Sequence, residues 1–217
     1  MHKSINNLVA IENELKSRSN LSSTPNIIAV SKTFPIGAIT PLIDYGHLHF
    51  GENKVQEAQK KWNEIKKTNK EIQLHLIGKL QTNKVKLAIP LFDYIHSLDN
   101  LKLAQKISSE QKKLNKKLKI FIQVNIGDEN QKNGIASNNV LEFYKKCVQD
   151  FDLDIVGLMC IPPIDSDVKE YFGLMNKLNK SVGLSQLSMG MSSDYLIAAS
   201  EGATFIRVGS KIFGERF

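Results

Sequence analysis

Residues 27–35 read IIAVSKTFP. The run IIAVS has the length and β-branched content of a buried strand, and the turn after it decides the fold. An open doubly wound sheet wants a glycine-rich phosphate turn directly after its first strand; here that turn is SKTFP. Seven further runs repeat the pattern: HLHFG (47–51), QLHLIG (73–78), YIHSL (94–98), KIFIQVNI (119–126), LDIVGLMC (153–160), QLSMGM (186–191) and TFIRVGS (204–210). They recur about every 25 residues, the length of one strand, one helix and two short loops. Strands alternating with helical patterns predict a parallel sheet covered by helices. Eight such units predict a (β/α)8 TIM barrel, in the α/β class, with an extra N-terminal helix ending near Asn20. No Pro/Gly/Ser-rich linker divides the chain, so residues 1–217 are expected to form a single domain.

Composition narrows the function classes. The 217 residues are 41% hydrophobic and 24% charged, a globular balance. No apolar run approaches the ~18 residues that span a bilayer, so no membrane partner is expected. The N-terminal MHKSINNLVAIENELKSRSN carries acids and no apolar stretch, which argues against a secretory signal. Cys147 and Cys160 are the only cysteines, so a disulfide framework is excluded and a cytoplasmic setting is expected. The net charge of +7 is concentrated: Lys102–Lys119 holds seven lysines and one glutamate. That segment has apolar positions at helical spacing and reads as a solvated helix face. With three arginines against 26 lysines, base-edge readout is not expected, and neither is a nucleic-acid partner. Without an obvious apolar surface patch, a monomer is the default.

A barrel builds its site at the carboxyl ends of its strands. Lys32 ends the first run. With its stem in the barrel mouth and its amine partly desolvated, it would be a nucleophile toward a carbonyl; the alternative is an ordinary lysine reaching into water. Barrels often bind phosphate with the loops after strands seven and eight. Here those loops are SMGMSSD (188–194) and RVGSKIFG (207–214), each pairing a glycine with a hydroxyl. Ser192 and Ser193 could instead merely cap the next helix. A Schiff-base lysine opposite a phosphate cradle suits pyridoxal 5′-phosphate (PLP). Alternation in TFIRVGS puts Phe205, Arg207 and Gly209 on one face. If that face is the lumen, Arg207 would lie near a cofactor ring nitrogen and hold it unprotonated, disfavouring demanding carbanion chemistry. If not, Arg207 is a structural ion-pair partner.

The segments VSKTFP (30–35), FGENKVQE (50–57), HLIGKLQTNK (75–84), GLM (157–159), SMGMSSD (188–194) and RVGSKIFGER (207–216) match a pattern in order along nearly the whole chain. Through them the sequence resembles the pyridoxal-phosphate homeostasis proteins, also called the proline synthase co-transcribed family. The resemblance implies a fold-type III PLP-binding barrel similar to the N-terminal domain of alanine racemase. It implies PLP held as a Schiff base on Lys32, phosphate contacts from Ser192, Gly209 and Ser210, and Asn53, His75, Met189 and Arg207 lining the cofactor.

The histidines and tyrosines limit the alternatives. His47 and His49 form an H-x-H on the second strand, and His75 and His96 lie on the next two. A metal-dependent hydrolase barrel would want H-x-H on the first strand, an acid after the last, and histidines on strands five and six, so no metal is expected. Cys147 and Cys160 read as buried thiols, and Trp62 as packing. Racemisation needs a second acid/base opposite the lysine, which a separate C-terminal domain supplies in alanine racemase-like enzymes. Only seven residues follow Ser210, so no such domain is expected; Tyr45 and Tyr94 precede their strand ends. General acid/base catalysis contributes ~10²–10⁴-fold. The expectation is therefore a PLP-binding protein of intracellular PLP homeostasis rather than an enzyme, with PLP-dependent apoenzymes as acceptors. The alternatives are a low-activity PLP-dependent amino-acid racemase and a Schiff-base aldolase barrel without PLP.

Overall fold

The computed structural model describes residues 2–18, 23–129, 131–164 and 166–215. All eight expected strands form: β1 (Asn26–Val30), β2 (His49–Glu52), β3 (Gln73–Leu76), β4 (Tyr94–Leu98), β5 (Lys119–Asn125), β7 (Asp154–Cys160), β8 (Gln186–Ser188) and β9 (Phe205–Val208). Each pairs in parallel with its neighbour, and β9 pairs back onto β1 through Asn26 to Ala29, which closes the barrel. A ninth strand that periodicity could not signal, β6 (Ile135–Ala136), adds to the end of β5. Two residues are too few to show alternation.

Alternation divides the strands between two layers. In β1, Ile28 and Val30 face the lumen, where they pack with Tyr94, Phe121, Met159 and Phe205. Ile27 and Ala29 face outward into the larger apolar layer under the helices. The lumen is thus filled by side chains, as an eight-stranded barrel requires.

The helices follow the sequence patterns and carry local stops. The lysine-rich segment is helix α6 (Leu101–Leu114). Asn100 caps it by accepting from the Leu103 N–H at 2.8 Å, and Asn115 ends it in the left-handed conformation. Its buried face holds Leu103, Ala104 and Ile107, whereas Leu101 and Leu114 are exposed. The N-terminal helix α1 spans Lys3–Lys16; its expected end near Asn20 lies outside the described residues. Leu8, Ile11 and Leu15 are buried on it. The Asn7 side-chain amide donates to the Ile212 carbonyl at 3.0 Å, tying α1 to helix α10 (Ser210–Phe213). No described helix is long and apolar enough to cross a membrane.

The closest approach in the sheet is at Gly157. A Cβ there would stand 1.9 Å from the Gln186 carbonyl oxygen, so β7 and β8 can pair only over glycine. Gly157→Ala is expected to destabilise the fold by about 1–3 kcal/mol through forced strand separation. A urea midpoint equal to wild type would contradict this.

Candidate functional site

A cavity of about 550 Å³ opens at the carboxyl ends of the strands, within the ~300–1,000 Å³ typical of small-molecule sites. Lys32, Asn53, Ser192, Arg207, Gly209 and Ser210 all line it, as do Ser193 and the apolar Val30, Ile77 and Ile161. The residues expected at the ends of β1, β2, β8 and β9 therefore converge on one space. Glu215 adds a carboxylate to its rim.

The loop carrying Lys32 is anchored from behind by a buried charge cluster. Glu52 points outward from β2, fully buried, and accepts from the Ser31 hydroxyl at 2.7 Å and the Trp62 indole N–H at 3.0 Å. Lys61, on helix α3 (Val55–Trp62), pairs with Glu52 at 2.7 Å and with Glu57 at 3.0 Å. The same ammonium donates to the carbonyls of Ser31 at 2.9 Å and Phe34 at 3.3 Å, on either side of Lys32. The Thr33 N–H donates to the Glu57 carboxylate at 2.6 Å, which accommodates a left-handed turn at Thr33. Burial acts to raise the Glu57 carboxyl, but the Thr33 N–H and Lys61 outweigh it and hold the group below its usual range. Sequence reasoning misses both Lys61 and Glu57. Their only signal is an i,i+4 charge pair inside ENKVQEAQKK.

Across the cavity, the loops after β8 and β9 touch. The Gly209 N–H donates to Ser192 Oγ at 3.3 Å, and Ser193 and Ser210 present further hydroxyls. Gly190 makes this approach possible. It adopts a positive φ of 90°, and a Cβ there would lie 2.5 Å from Ala198 Cβ on helix α9 (Tyr195–Ser200). Its carbonyl accepts the Arg207 N–H at 2.9 Å.

Arg207 faces the lumen and is buried below the cavity. Its guanidinium donates to Ser188 Oγ at 2.7 Å and to the Cys160 carbonyl at 2.9 Å. From Ser188 a row of imidazoles runs down the lumen. Ser188 Oγ lies 2.8 Å from His96 Nδ1, His96 Nε2 lies 2.9 Å from His75 Nδ1, and His75 Nε2 lies 3.0 Å from His49 Nδ1. Burial and the neighbouring imidazoles push His75 well below its ordinary value. Burial and Arg207 do the same to His96.

Several expected positions fall elsewhere. His75 does not reach the cavity lining, because it is fully buried between His49 and His96 with Tyr94 stacked on it at 4.2 Å. Met189 shares the outward face of Leu187 and packs in the layer under the helices, so its side chain points away from the lumen. His47 and His49 do not share a strand face. His47 precedes β2, meets the outward ring of Phe50 at 5.2 Å and bonds to the His49 carbonyl at 2.9 Å. Burial lowers His47 to about 4. Trp62 packs as expected, fully buried. Cys147 and Cys160 are both buried, which pushes each thiol up to about 12.

The alanine racemase N-terminal domain family matches residues 7–216 of this chain. The pyridoxal phosphate homeostasis protein of Aquifex aeolicus is 38% identical over 199 residues, covering 88% of this chain and 86% of that protein. PipY of Synechococcus elongatus, in its structure with PLP bound, superimposes with a TM-score of 0.85 at 32% identity, covering 97% of this chain and 100% of PipY. Alanine racemase of Clostridium difficile 630 shares the fold, with a TM-score of 0.75 at 16% identity; the match covers 99% of this chain and 57% of the racemase.

Two outcomes are expected from this geometry. Lys61→Ala strips the buried Glu52 of its ion-pair partner, so stability should fall by about 3–5 kcal/mol; a loss under about 1 kcal/mol in urea unfolding would show that the cluster anchors little. The histidines set an acid limb. The unfolded chain takes up protons near pH 6.5, while folded His47 resists until about pH 4, and His49, His75 and His96 are shifted the same way. Their contribution to stability is therefore full above pH 6.5 and is lost as pH falls toward 4. Urea midpoints between pH 4 and 8 check the sign.

Proposed function

The chain belongs to the alanine racemase N-terminal domain family and to its pyridoxal phosphate homeostasis proteins, and from that premise we propose that it binds pyridoxal 5′-phosphate in the barrel mouth and serves PLP homeostasis in the cytoplasm. The observation that carries this reading is the donor set of one cavity: an amine from Lys32, a guanidinium from Arg207, three serine hydroxyls and the main chain of Gly209. These donors suit a small anion carrying a phosphate and a carbonyl. When bound, PLP supplies an aldehyde carbon that a primary amine can join and a pyridine ring that can accept electron density.

Each residue has a distinct task. Lys32 would supply the primary amine toward the cofactor's aldehyde, and its loop is held in register by the Lys61–Glu52 pair behind it. Ser192, Ser210 and the Gly209 main chain would hold the phosphate, and Ser192 and Gly209 are already in contact. Asn53 lines the cavity beside Lys32 and would flank the bound ring. It is kept there by Gly78, where a Cβ would stand 2.4 Å from the Asn53 carbonyl oxygen. Arg207 would face the bound cofactor as a donor that keeps its own proton, and so would not protonate a ring nitrogen placed against it.

The role is to hold and deliver PLP to apoenzymes as a monomer, rather than to turn over a substrate. None of the tyrosines lines the cavity among the described residues. Tyr94 is stacked in the lumen with its hydroxyl accepting from Lys119 at 3.2 Å, and Tyr195 donates to the Glu14 carboxylate. A tyrosine acid/base opposite Lys32 is therefore missing from the site described.

Purified protein incubated with PLP should be yellow, bleach with borohydride, and gain the mass of one reduced PLP on Lys32. Lys32→Ala should keep its far-UV circular dichroism and gain no mass. A borohydride-fixed adduct retained elsewhere in Lys32→Ala would overturn the assignment.

A further inference from the structure

Arg207 is a permanent cation in a nearly closed place, 6% exposed. Both of its described hydrogen bonds go to neutral oxygens, Ser188 Oγ and the Cys160 carbonyl. No carboxylate forms an ion pair with it among the described residues. A buried charge needs compensation, and the imidazole row is placed to give it.

The direction of every proton in the row follows from Arg207. A guanidinium only donates, so Ser188 Oγ accepts from it. The Ser188 hydroxyl hydrogen then has one described partner, His96 Nδ1 at 2.8 Å. The opposite arrangement would set two donors against Ser188 Oγ and leave its hydrogen without a partner among the described residues. His96 is fully buried and neutral, so with Nδ1 accepting, its proton is on Nε2 and is donated to His75 Nδ1 at 2.9 Å. By the same step the His75 proton is on Nε2, donated to His49 Nδ1 at 3.0 Å. All three rings are joined Nε2 to Nδ1 in the same sense, so no ring in the row must break the pattern. Aromatic faces fix their planes: Tyr94 stacks on His75 at 4.2 Å and Phe121 on His96 at 4.4 Å. Every lone pair then points toward Arg207 and every N–H away from it.

We propose that Ser188, His96, His75 and His49 form a single oriented row of dipoles that stands in for a counter-ion to Arg207, making Ser188 and His96 positioning residues for the guanidinium under the cavity. Aligned hydrogen bonds polarise one another, so the row stabilises the charge better than isolated groups would. A carboxylate in the same place would neutralise Arg207; neutral imidazoles leave its charge available to a ligand in the cavity. The row rests on the geometry of the lumen, whatever the ligand's identity.

Nitrogen-15 NMR of histidine-labelled protein without added PLP tests the row directly near neutral pH. The expected result is neutral Nε2–H rings at His49, His75 and His96. A proton on Nδ1 of His96 would reverse the row and overturn the proposal. Ser188→Ala removes the group that directs the row, so His49, two rings away from His96, should lose its single tautomer. Ser188→Thr, which keeps the hydroxyl, should restore it. If His49 keeps its tautomer in folded Ser188→Ala, the rings are set locally and the idea of one row fails. PLP titration adds a functional readout: affinity should fall about tenfold in Ser188→Ala and recover in Ser188→Thr. Equal affinity in all three would show that Ser188 does not position Arg207. Wild-type protein that binds no PLP would defeat the proposed function, while the tautomers would still decide the row.

Discussion

A charge that cannot be discharged, enclosed in a sheet that cannot open, governs this molecule. Arg207 sits inside the closed barrel, and the interior polar residues are arranged about it. A barrel lumen of this size is ordinarily packed with branched aliphatics. Here only part of it is apolar, the group around Ile28, Val30, Phe121 and Phe205. The remainder is a hydrogen-bonded column whose flanking rings serve both purposes, apolar on their faces and confining at their edges. Removing the charge would leave this column without its organising end.

The opposite wall of the cavity depends on a different device. Lys32 is placed by the main chain on either side of it, which Lys61 grips from the helix layer. The sheet thus separates two electrostatic systems: within, a guanidinium whose described hydrogen bonds go to neutral oxygens, and without, an ammonium set among two carboxylates. Lys32 and Arg207, the two cationic residues lining the cavity among the described residues, each belong to one system. Their separation is fixed by adjacent strands, since β1 and β9 pair from Asn26 to Ala29.

The barrel was legible because its signal is repeated: eight runs at near-constant spacing over-determine the architecture even where one boundary drifts. The run at 47–51 shows the drift, with β2 starting only at His49. The site was legible where function sits at strand ends, as with Lys32, Asn53, Ser192 and Gly209. It was not legible where orientation decides. Met189 lies in the loop that carries Ser192, but strand parity turns its side chain outward. His49, His75 and His96 stand on three successive strands with no metal expected of them, and spacing alone gives them no common role. That they form a line depends on β2, β3 and β4 being adjacent and in register, with His75 level with Gly51 and with Tyr94. Lys61 illustrates another limit: a surface-type charge pair on a helix gives no hint that it reaches through to two carbonyls of another loop.

The tie between α1 and the end of the chain bears on how the protein is made. The Asn7 side chain meets Ile212 across 205 positions, and β1 finds one of its two neighbours only in β9. Contacts of such separation form slowly, because the loop entropy must be overcome first. On the ribosome, β1 can join β2 early, but its other edge stays open until β9 has emerged. That edge is apolar, with unpaired main-chain groups, a template for misassociation with other nascent chains. The cavity cannot exist before then either, since Arg207 lies on β9 and Gly209 and Ser210 follow it. Ligand capture therefore has to wait until β9 has closed onto β1.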